Sequence, residues 1–436
     1  MARDRGPAVG PRLTLSAEEQ GMLAGERGEA VAMAMRLVVG VARANGAPRL
    51  LPVASVHVDG CLYHGRAGLD FAERLVELGG SVAVRTTLNV GSLDLLHPGL
   101  VRAEGELATG GRRLMDAYVA LGCESTWSCA PYQLSHRPAT GTHVAWAESN
   151  AIAFVNSVLG ARTDRYGDFL DIAAALTGRV PDAGLHRDEH RRAELVLDCS
   201  ALPRPLLDDD TAWAALGALL GEVAGTRVAA LVGLPGDLAD DGTTEDRLKG
   251  LGATAASAGG VALFHVVGVT PEAPDLASVA DSDTPVHRVD VDALRAARDR
   301  LTTAATDQGR LDAVSLGTPH FSVSEFAALA RAVGDGPPFA AGVDVYVSTS
   351  RAVLAEATRL GYVAPVTAAG ARVLTDTCTY VTPVLSSDVR TVMTNSGKWA
   401  WYAPGNLGID TVLGSLADCV ASARAGKVVR DDALWW

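Results

Sequence analysis

Short apolar runs alternate along this chain with longer helical stretches that stop on glycine, and that alternation restricts the fold more than any other feature. LLPVASVHV (50–58) reads as a buried strand, FAERLVELGG (71–80) as a helix and SVAVRTTLN (81–89) as a second strand. The order returns in AWAALGALLGEVAG, RVAALVGLP, TEDRLKGLGATAASA and VALFHVVGV, and again in VDVYVSTS, RAVLAEATRLG and ARVLTDTC. Strand, helix, strand is the order that builds parallel sheets, because a parallel crossover needs a helix-sized connection. The expected class is therefore α/β, with three regions: 1–200, 211–310 as a second or inserted α/β unit, and 311–436 returning to the site. Proline-rich ALPRPLLDDD (201–210) is the expected linker, and the glycines of LVGLPGD are too wrongly spaced to cradle phosphate and read as a turn. A capping box, Ser16 to Glu19, opens a helix expected to run to Asn45.

Composition narrows the function classes. With 48% hydrophobic and 20% charged residues, the chain can bury a sizeable core. A net charge of −13 disfavours nucleic acid, whose binding needs a basic surface. The N-terminus lacks an apolar leader and no segment approaches a membrane span, so a cytoplasmic protein with no membrane association is expected. Six cysteines are too sparse for a disulfide framework. In a reducing compartment the unusual ones read as metal ligands or core thiols.

The chemistry concentrates between Cys123 and Arg165, in CESTWSCAPYQ and GTHVAWAESNAIAFVNSVLGARTDR. A helix is expected from about Val144 to Gly160, aligning Ser149 with Asn156 and placing Glu148 at the edge of that stripe. Such a polar row needs buried partners or a ligand, since an unpaired buried amide costs about 1–3 kcal/mol. His57 and Asn89 fall at strand C-termini, where open α/β sheets place ligands, although a lone histidine there is more often a satisfied core histidine. His320 is expected in a loop ahead of a Ser322 to Glu325 cap.

Taken together, LTLSAEEQGMLAGERGEAVAMAMRL, TTLN, CAPYQ, AWAESNAIAFVNSVLGARTDRYGDF, TGRVPDAGLH, HVVGVTPEAP, TDTC and NSGK…YAP resemble the large subunit or domain of aconitase X, a family of hydro-lyases. CAPYQ and RYGDFLD resemble the bacterial cis-3-hydroxy-L-proline dehydratases more than the archaeal mevalonate 5-phosphate dehydratases. The resemblance implies α/β domains around an iron–sulfur cluster, closed by a small swivel domain that supplies a serine base. The chain ends ten residues after Gly426, so that domain is expected on a separate small subunit.

The resemblance also implies site residues. Cys129 and Cys378 match the family's cluster ligands. Thr318 stands where some members have a cysteine, and Cys123 is the available substitute, which favours a 2Fe-2S cluster while leaving 4Fe-4S possible. Glu148, Ser149, Lys398 and His57 are implied in catalysis. Asn89, Asn156, Arg162, Thr163, Arg165, His186 and His320 are implied in substrate binding, with the two arginines suited to a carboxylate and Glu148 to an ammonium group. The expected function is dehydration of a 3-hydroxy amino acid, most simply cis-3-hydroxy-L-proline. The alternatives are another hydroxy acid, such as mevalonate 5-phosphate, or a subunit that has lost its cluster.

Overall fold

The computed structural model describes residues 12–235, 242–306 and 309–436. Residues 1–11, in which no apolar leader is expected, and the end of the expected LVGLPGD turn, Gly236 and Asp237, lie outside the described residues. In the first region β1 (Leu50–Pro52), β2 (Ser55–Val58), β3 (Arg85–Leu88), β4 (Ala145–Trp146) and β5 (Arg179–Pro181) alternate with helices. β2 is central in a parallel sheet ordered β3-β2-β4, and β1 pairs antiparallel with β5. In the second region β6 (Leu195–Asp198), β7 (Ala229–Val232), β8 (Phe264–Val266) and β9 (Val286–Arg288) form a parallel sheet ordered β8-β7-β6-β9. The third region holds β10 (Ala313–Phe321), β11 (Asp344–Thr349), β12 (Ala371–Leu374), β13 (Thr391–Thr394) and β14 (Asp410–Leu413), parallel and ordered β12-β11-β10-β13-β14. The architecture is mixed α/β with parallel sheets. No helix among the described residues is long and apolar enough to cross a membrane.

Several expected elements are redrawn. The first helix breaks into Ala17–Ala24 and Glu29–Ala44, because Gly25 at φ 91° closes the first in the left-handed conformation; the Ser16 and Glu19 capping box forms as expected. Residues 50–58 are two strands interrupted after Pro52. The expected linker is not one: Arg204–Leu207 is a helical turn, and Leu202, Leu206 and Leu207 are buried in the apolar core of the second region. β6, which falls inside the expected 1–200 region, pairs with both β7 and β9 and so belongs to the second sheet.

The most consequential revision concerns 144–160. Ala145 and Trp146 pair with Val56 and His57 as β4, and the helix starts only at Ser149 and ends at Ser157. Glu148 is its N-cap, accepting from the Ala151 N–H at 2.8 Å. Trp146 therefore shares a sheet face with His57.

Candidate active site and metal centre

The three parallel strands of the first sheet end in register. His57 lies opposite Thr87 on one side and Trp146 on the other. Side chains of a strand alternate, so the next residues on that face are Asp59, Asn89 and Glu148, one row beyond the strand ends. Backbone bonds carry the ladder into that row, from Asn89 N–H to Val58 at 2.9 Å and from Ala147 N–H to His57 at 3.1 Å. Asn89 donates its side-chain N–H to Asp59 Oδ1. Carboxyl ends of parallel strands are where such sheets bind ligands.

Beside this row two distant cysteines meet. Cys129, Cys378 and His320 are buried, with their ligand atoms within 4.8 Å of one another. Val90, next to Asn89, packs against both cysteines. The Cys129 segment is pinned to β3: Thr126 exchanges side-chain hydrogen bonds with the Leu88 backbone, and Ser128 N–H donates to Leu88 at 3.0 Å. The Cys378 segment is tied to the first region by two buried carboxylates. Asp94 accepts from the Thr375 N–H and hydroxyl, and Asp376 accepts from Leu95 N–H while pairing with Arg351.

His320 is not in a loop. It lies within β10, where the register with β11 shifts between Leu316 and Phe321. Its backbone N–H donates to Cys129 Sγ at 3.3 Å. Its Nε2–H donates to the Thr377 carbonyl and its Nδ1 accepts from Ser128, each at 3.2 Å. Burial lowers its pKa to about 4, so the ring is neutral. The Cys129 sulfur, then burial, push the Cys378 thiol well above its ordinary value. Thr318 Oγ1 is buried without a hydrogen-bond partner. Two thiols, a neutral imidazole and an orphaned hydroxyl are a donor set that suits a soft, thiolate-bound metal group.

Glu148 and Lys398 form a buried ion pair from opposite ends of the chain. Lys398 sits in the first turn of the helix Gly397–Leu407, capped by Ser396, whose hydroxyl donates to the Thr318 carbonyl. Burial disfavours both charges, but each partner overrides it: Glu148 is held below its ordinary value and Lys398 above. Every lone pair of Glu148 is used. Oε1 accepts from Ser149 and Lys398, and Oε2 from Asn150 and Ala151. It has no room for the substrate ammonium group expected of it. Lys398 also donates to Ser149 Oγ at 3.3 Å, leaving one of its three N–H donors. His57 is held neutral, its pKa lowered by burial to about 4; Nδ1 bonds Thr87 Oγ1 at 2.8 Å and Nε2 is buried without a partner.

Other expected site residues go elsewhere. Cys123 is a core thiol: it packs in the first region's apolar cluster with Cys61 and Leu121, and burial lifts its pKa to about 12. Asn156 is eight residues along the helix from Glu148, about 12 Å at 1.5 Å per residue. Its amide is spent on Thr163, Ala262 and Arg191. Thr163 bridges the Trp146 backbone. Arg162 binds Asp188 and the His186 carbonyl, and Arg165 the Gly260 carbonyl, so they do not form a carboxylate clamp. His186 bonds His143 Nδ1 at 3.0 Å and Tyr166 OH. These five brace the packing behind β4, with Asn156 about two turns along the helix from the Glu148 cap and the other four beyond the helix end. Asn156→Ala is expected to destabilise the fold by about 1–3 kcal/mol for each buried group left unpaired, with kcat nearly unchanged; urea unfolding and steady-state kinetics check both.

Two residues escaped the sequence reading. Asn150 donates to the Cys129 carbonyl and to Glu148, both at 2.5 Å, and so joins the two halves of the site. Asp59 stands two residues after His57, and strand alternation alone puts it on the same face. That spacing was the available signal.

Three family models match this chain in order: the aconitase X first domain over 12–189, the second domain over 193–299 and the third domain over 311–425. A cis-3-hydroxy-L-proline dehydratase of Pseudomonas aeruginosa is 43% identical over 96% of this chain and 71% of its own length. A phosphomevalonate dehydratase large subunit of Methanothermobacter thermautotrophicus is 38% identical over 92% of this chain and 96% of its own. The crystal structure of Thermococcus kodakaraensis aconitase X in its holo-form superimposes with a TM-score of 0.82 at 32% identity, covering 94% of this chain and 100% of that one. With family models spanning nearly all the described residues and a matching fold, the chain belongs to the aconitase X family.

Proposed function

We propose that the chain is the large catalytic subunit of a hydro-lyase that removes water from cis-3-hydroxy-L-proline, in the cytoplasm, with an iron–sulfur cluster and a separate small swivel-domain subunit. The observation that carries this reading is the convergence of Cys129 and Cys378 beside the buried Glu148–Lys398 pair. When bound, a cluster with an open iron position supplies a Lewis acid for the hydroxyl, a poor leaving group otherwise. Cys129 and Cys378 would hold it, and the absence of a third cysteine from this centre among the described residues favours 2Fe-2S over 4Fe-4S. The His320 N–H is directed at Cys129 Sγ and helps to place that sulfur at the centre. The buried Thr318 hydroxyl bears on the Cys378 thiol and has no other partner among the described residues. Retention of both cysteines and of the ion pair speaks against a subunit that has lost its cluster.

Lys398 carries the positive charge of the site, and its remaining N–H is available to a substrate carboxylate, which then accumulates negative charge as the adjacent proton leaves. A phosphorylated hydroxy acid would need further cations, whereas Asp59 and Glu148 make this row acidic. Identity to a cis-3-hydroxy-L-proline dehydratase points the same way. A small partner is supported by the name of the archaeal relative, a large subunit 96% of whose length this chain matches. That partner would bring the serine base. All six cysteines are free, as suits a reducing compartment.

The chain alone is expected to be inactive, and adding a small swivel subunit should restore dehydration of cis-3-hydroxy-L-proline, followed by mass. The trans isomer should fail because its hydroxyl lies on the other ring face. Full turnover by the isolated chain would sink the two-subunit reading, and turnover of mevalonate 5-phosphate alone would overturn the substrate.

A further inference from the structure

The row Asp59, Asn89, Glu148 is chemically unbalanced. Lys398 neutralises Glu148 and nothing among the described residues neutralises Asp59. Asp59 Oδ1 accepts from Asn89, while no donor among the described residues reaches Oδ2. The carboxylate is held in place from behind: Asp171 Oδ2 accepts the N–H groups of Asp59 and Gly60 at 2.8 and 3.2 Å, fixing the turn that follows β2. The second observation is Asn89 itself. It is 5% exposed, and with its N–H committed to Asp59 its Oδ1 is buried without a partner. Leaving such an acceptor unpaired costs about 1–3 kcal/mol. A free carboxylate oxygen and an orphaned carbonyl oxygen, side by side on one rigid sheet edge, want a ligand with two N–H donors and a positive charge.

We propose that Asp59 and Asn89 form the ammonium-binding half of the substrate site, with Asp59 Oδ2 and Asn89 Oδ1 each accepting one N–H of a cyclic secondary ammonium. This rests on the hydroxyproline reading of the same site and deepens it by assigning a residue to the charge that distinguishes an imino acid from an anionic hydroxy acid. It also relieves Glu148, whose four acceptor positions are filled by Ser149, Lys398, Asn150 and Ala151. Val90 packs on Cys129 and Cys378, so the ammonium group would sit one residue from the metal centre, as a vicinal amino and hydroxyl pair requires. The electrostatics agree. Burial, with Glu148, Asp168 and Asp171 facing it, raises the Asp59 pKa to about 7 against the opposing Asn89 hydrogen bond. An arriving cation would reverse that.

The test uses the chain with its metal centre and small partner, and two unreactive probes: L-proline, and tetrahydrofuran-2-carboxylate, in which a ring oxygen replaces the ammonium. Wild type should bind L-proline more tightly by calorimetry. Asp59→Asn should weaken L-proline by about 10–100-fold, as loss of a charged hydrogen bond does, raise KM for cis-3-hydroxy-L-proline similarly, and leave the oxygen analogue within about threefold. Asp59→Glu should recover part of the loss. The preference of wild type for L-proline over the oxygen analogue needs no variant and decides the matter if Asp59→Asn fails to fold. Binding of L-proline near pH 6.5 should release a proton from Asp59, seen by calorimetry in buffers of different ionisation enthalpy, and should weaken as pH falls from about 8 to 6. Unchanged L-proline affinity in folded Asp59→Asn, or a wild type that binds L-proline no more tightly than the oxygen analogue, overturns the assignment while leaving the dehydratase reading intact. A wild-type pair that neither dehydrates cis-3-hydroxy-L-proline nor binds L-proline overturns both.

Discussion

Lys398→Met in the chain assembled with its metal centre and partner is expected to cut turnover by about 10²–10³-fold, the usual cost of losing one preorganised donor to developing negative charge. Stability should fall as well. Glu148 is fully enclosed, and removing one partner of a buried pair costs about 3–5 kcal/mol because the other charge is stranded. The pH dependence separates the two effects. Glu148 is held below its ordinary value, so its contribution is present above the usual carboxylate range and is lost as pH falls through its lowered folded value. Lys398 is held above its own, so its contribution is complete below the usual lysine range and is lost only as pH rises beyond it. The stability deficit of Lys398→Met should thus be widest around neutrality and narrow in acid, where Glu148 protonates in both proteins. Adding Glu148→Gln removes the stranded charge and should recover much of the stability and none of the turnover. A double variant as active as wild type would make the pair a structural feature only.

Cys129→Ser and Cys378→Ser are each expected to abolish the brown colour, iron and sulfide of anaerobically purified protein, and with them all activity. Serine keeps the shape but supplies a harder oxygen that is not deprotonated near neutrality, so a soft metal group loses a ligand. Cys123→Ser and Cys419→Ser should keep full iron content. Both thiols are buried away from the centre, in the apolar clusters of the first and third regions, and burial raises both pKa values. Their replacement buries a hydroxyl in apolar surroundings and should lower stability by about 1–3 kcal/mol without touching the spectrum. Iron and sulfide assays with visible absorption check the set. Loss of iron in Cys123→Ser would return that residue to the ligand set. Thr318→Ala is a useful companion: a smaller change in the spectrum than either cysteine variant would place its hydroxyl near the metal without making it an anchoring ligand.

The alternation of glycine-stopped helices with apolar runs determined the class of fold, because a chain patterned that way buries its strands only under crossover helices. Cys129 and Cys378, Glu148 and Lys398 were likewise legible, since buried thiols and charges in otherwise small and apolar segments demand partners or ligands. Which partners they find was not legible. Lys398 and Glu148 are 250 residues apart in sequence, as the separation of their contact records, and nothing local to either names the other. The misreadings came from a local pattern that tertiary pairing overrode. AWAESNAIAFVNSVL satisfies a helix throughout, but β2 offers backbone hydrogen bonds to Ala145 and Trp146, and the Glu148 carboxylate caps a helix that can then begin only at Ser149. Asn156 lies near the far end of that helix and Thr163, Arg162 and Arg165 beyond it, behind the sheet, whereas Asp59 and Asn89 stand at its edge through the register of β2 and β3. Cys123, six residues before Cys129, points into the core, and Trp127, with a left-handed backbone at φ 42°, turns the chain between them. The sequence, then, determined which residues carry chemistry; the register of three short parallel strands decided which of them share a face, because a side chain's direction in a sheet changes with every residue.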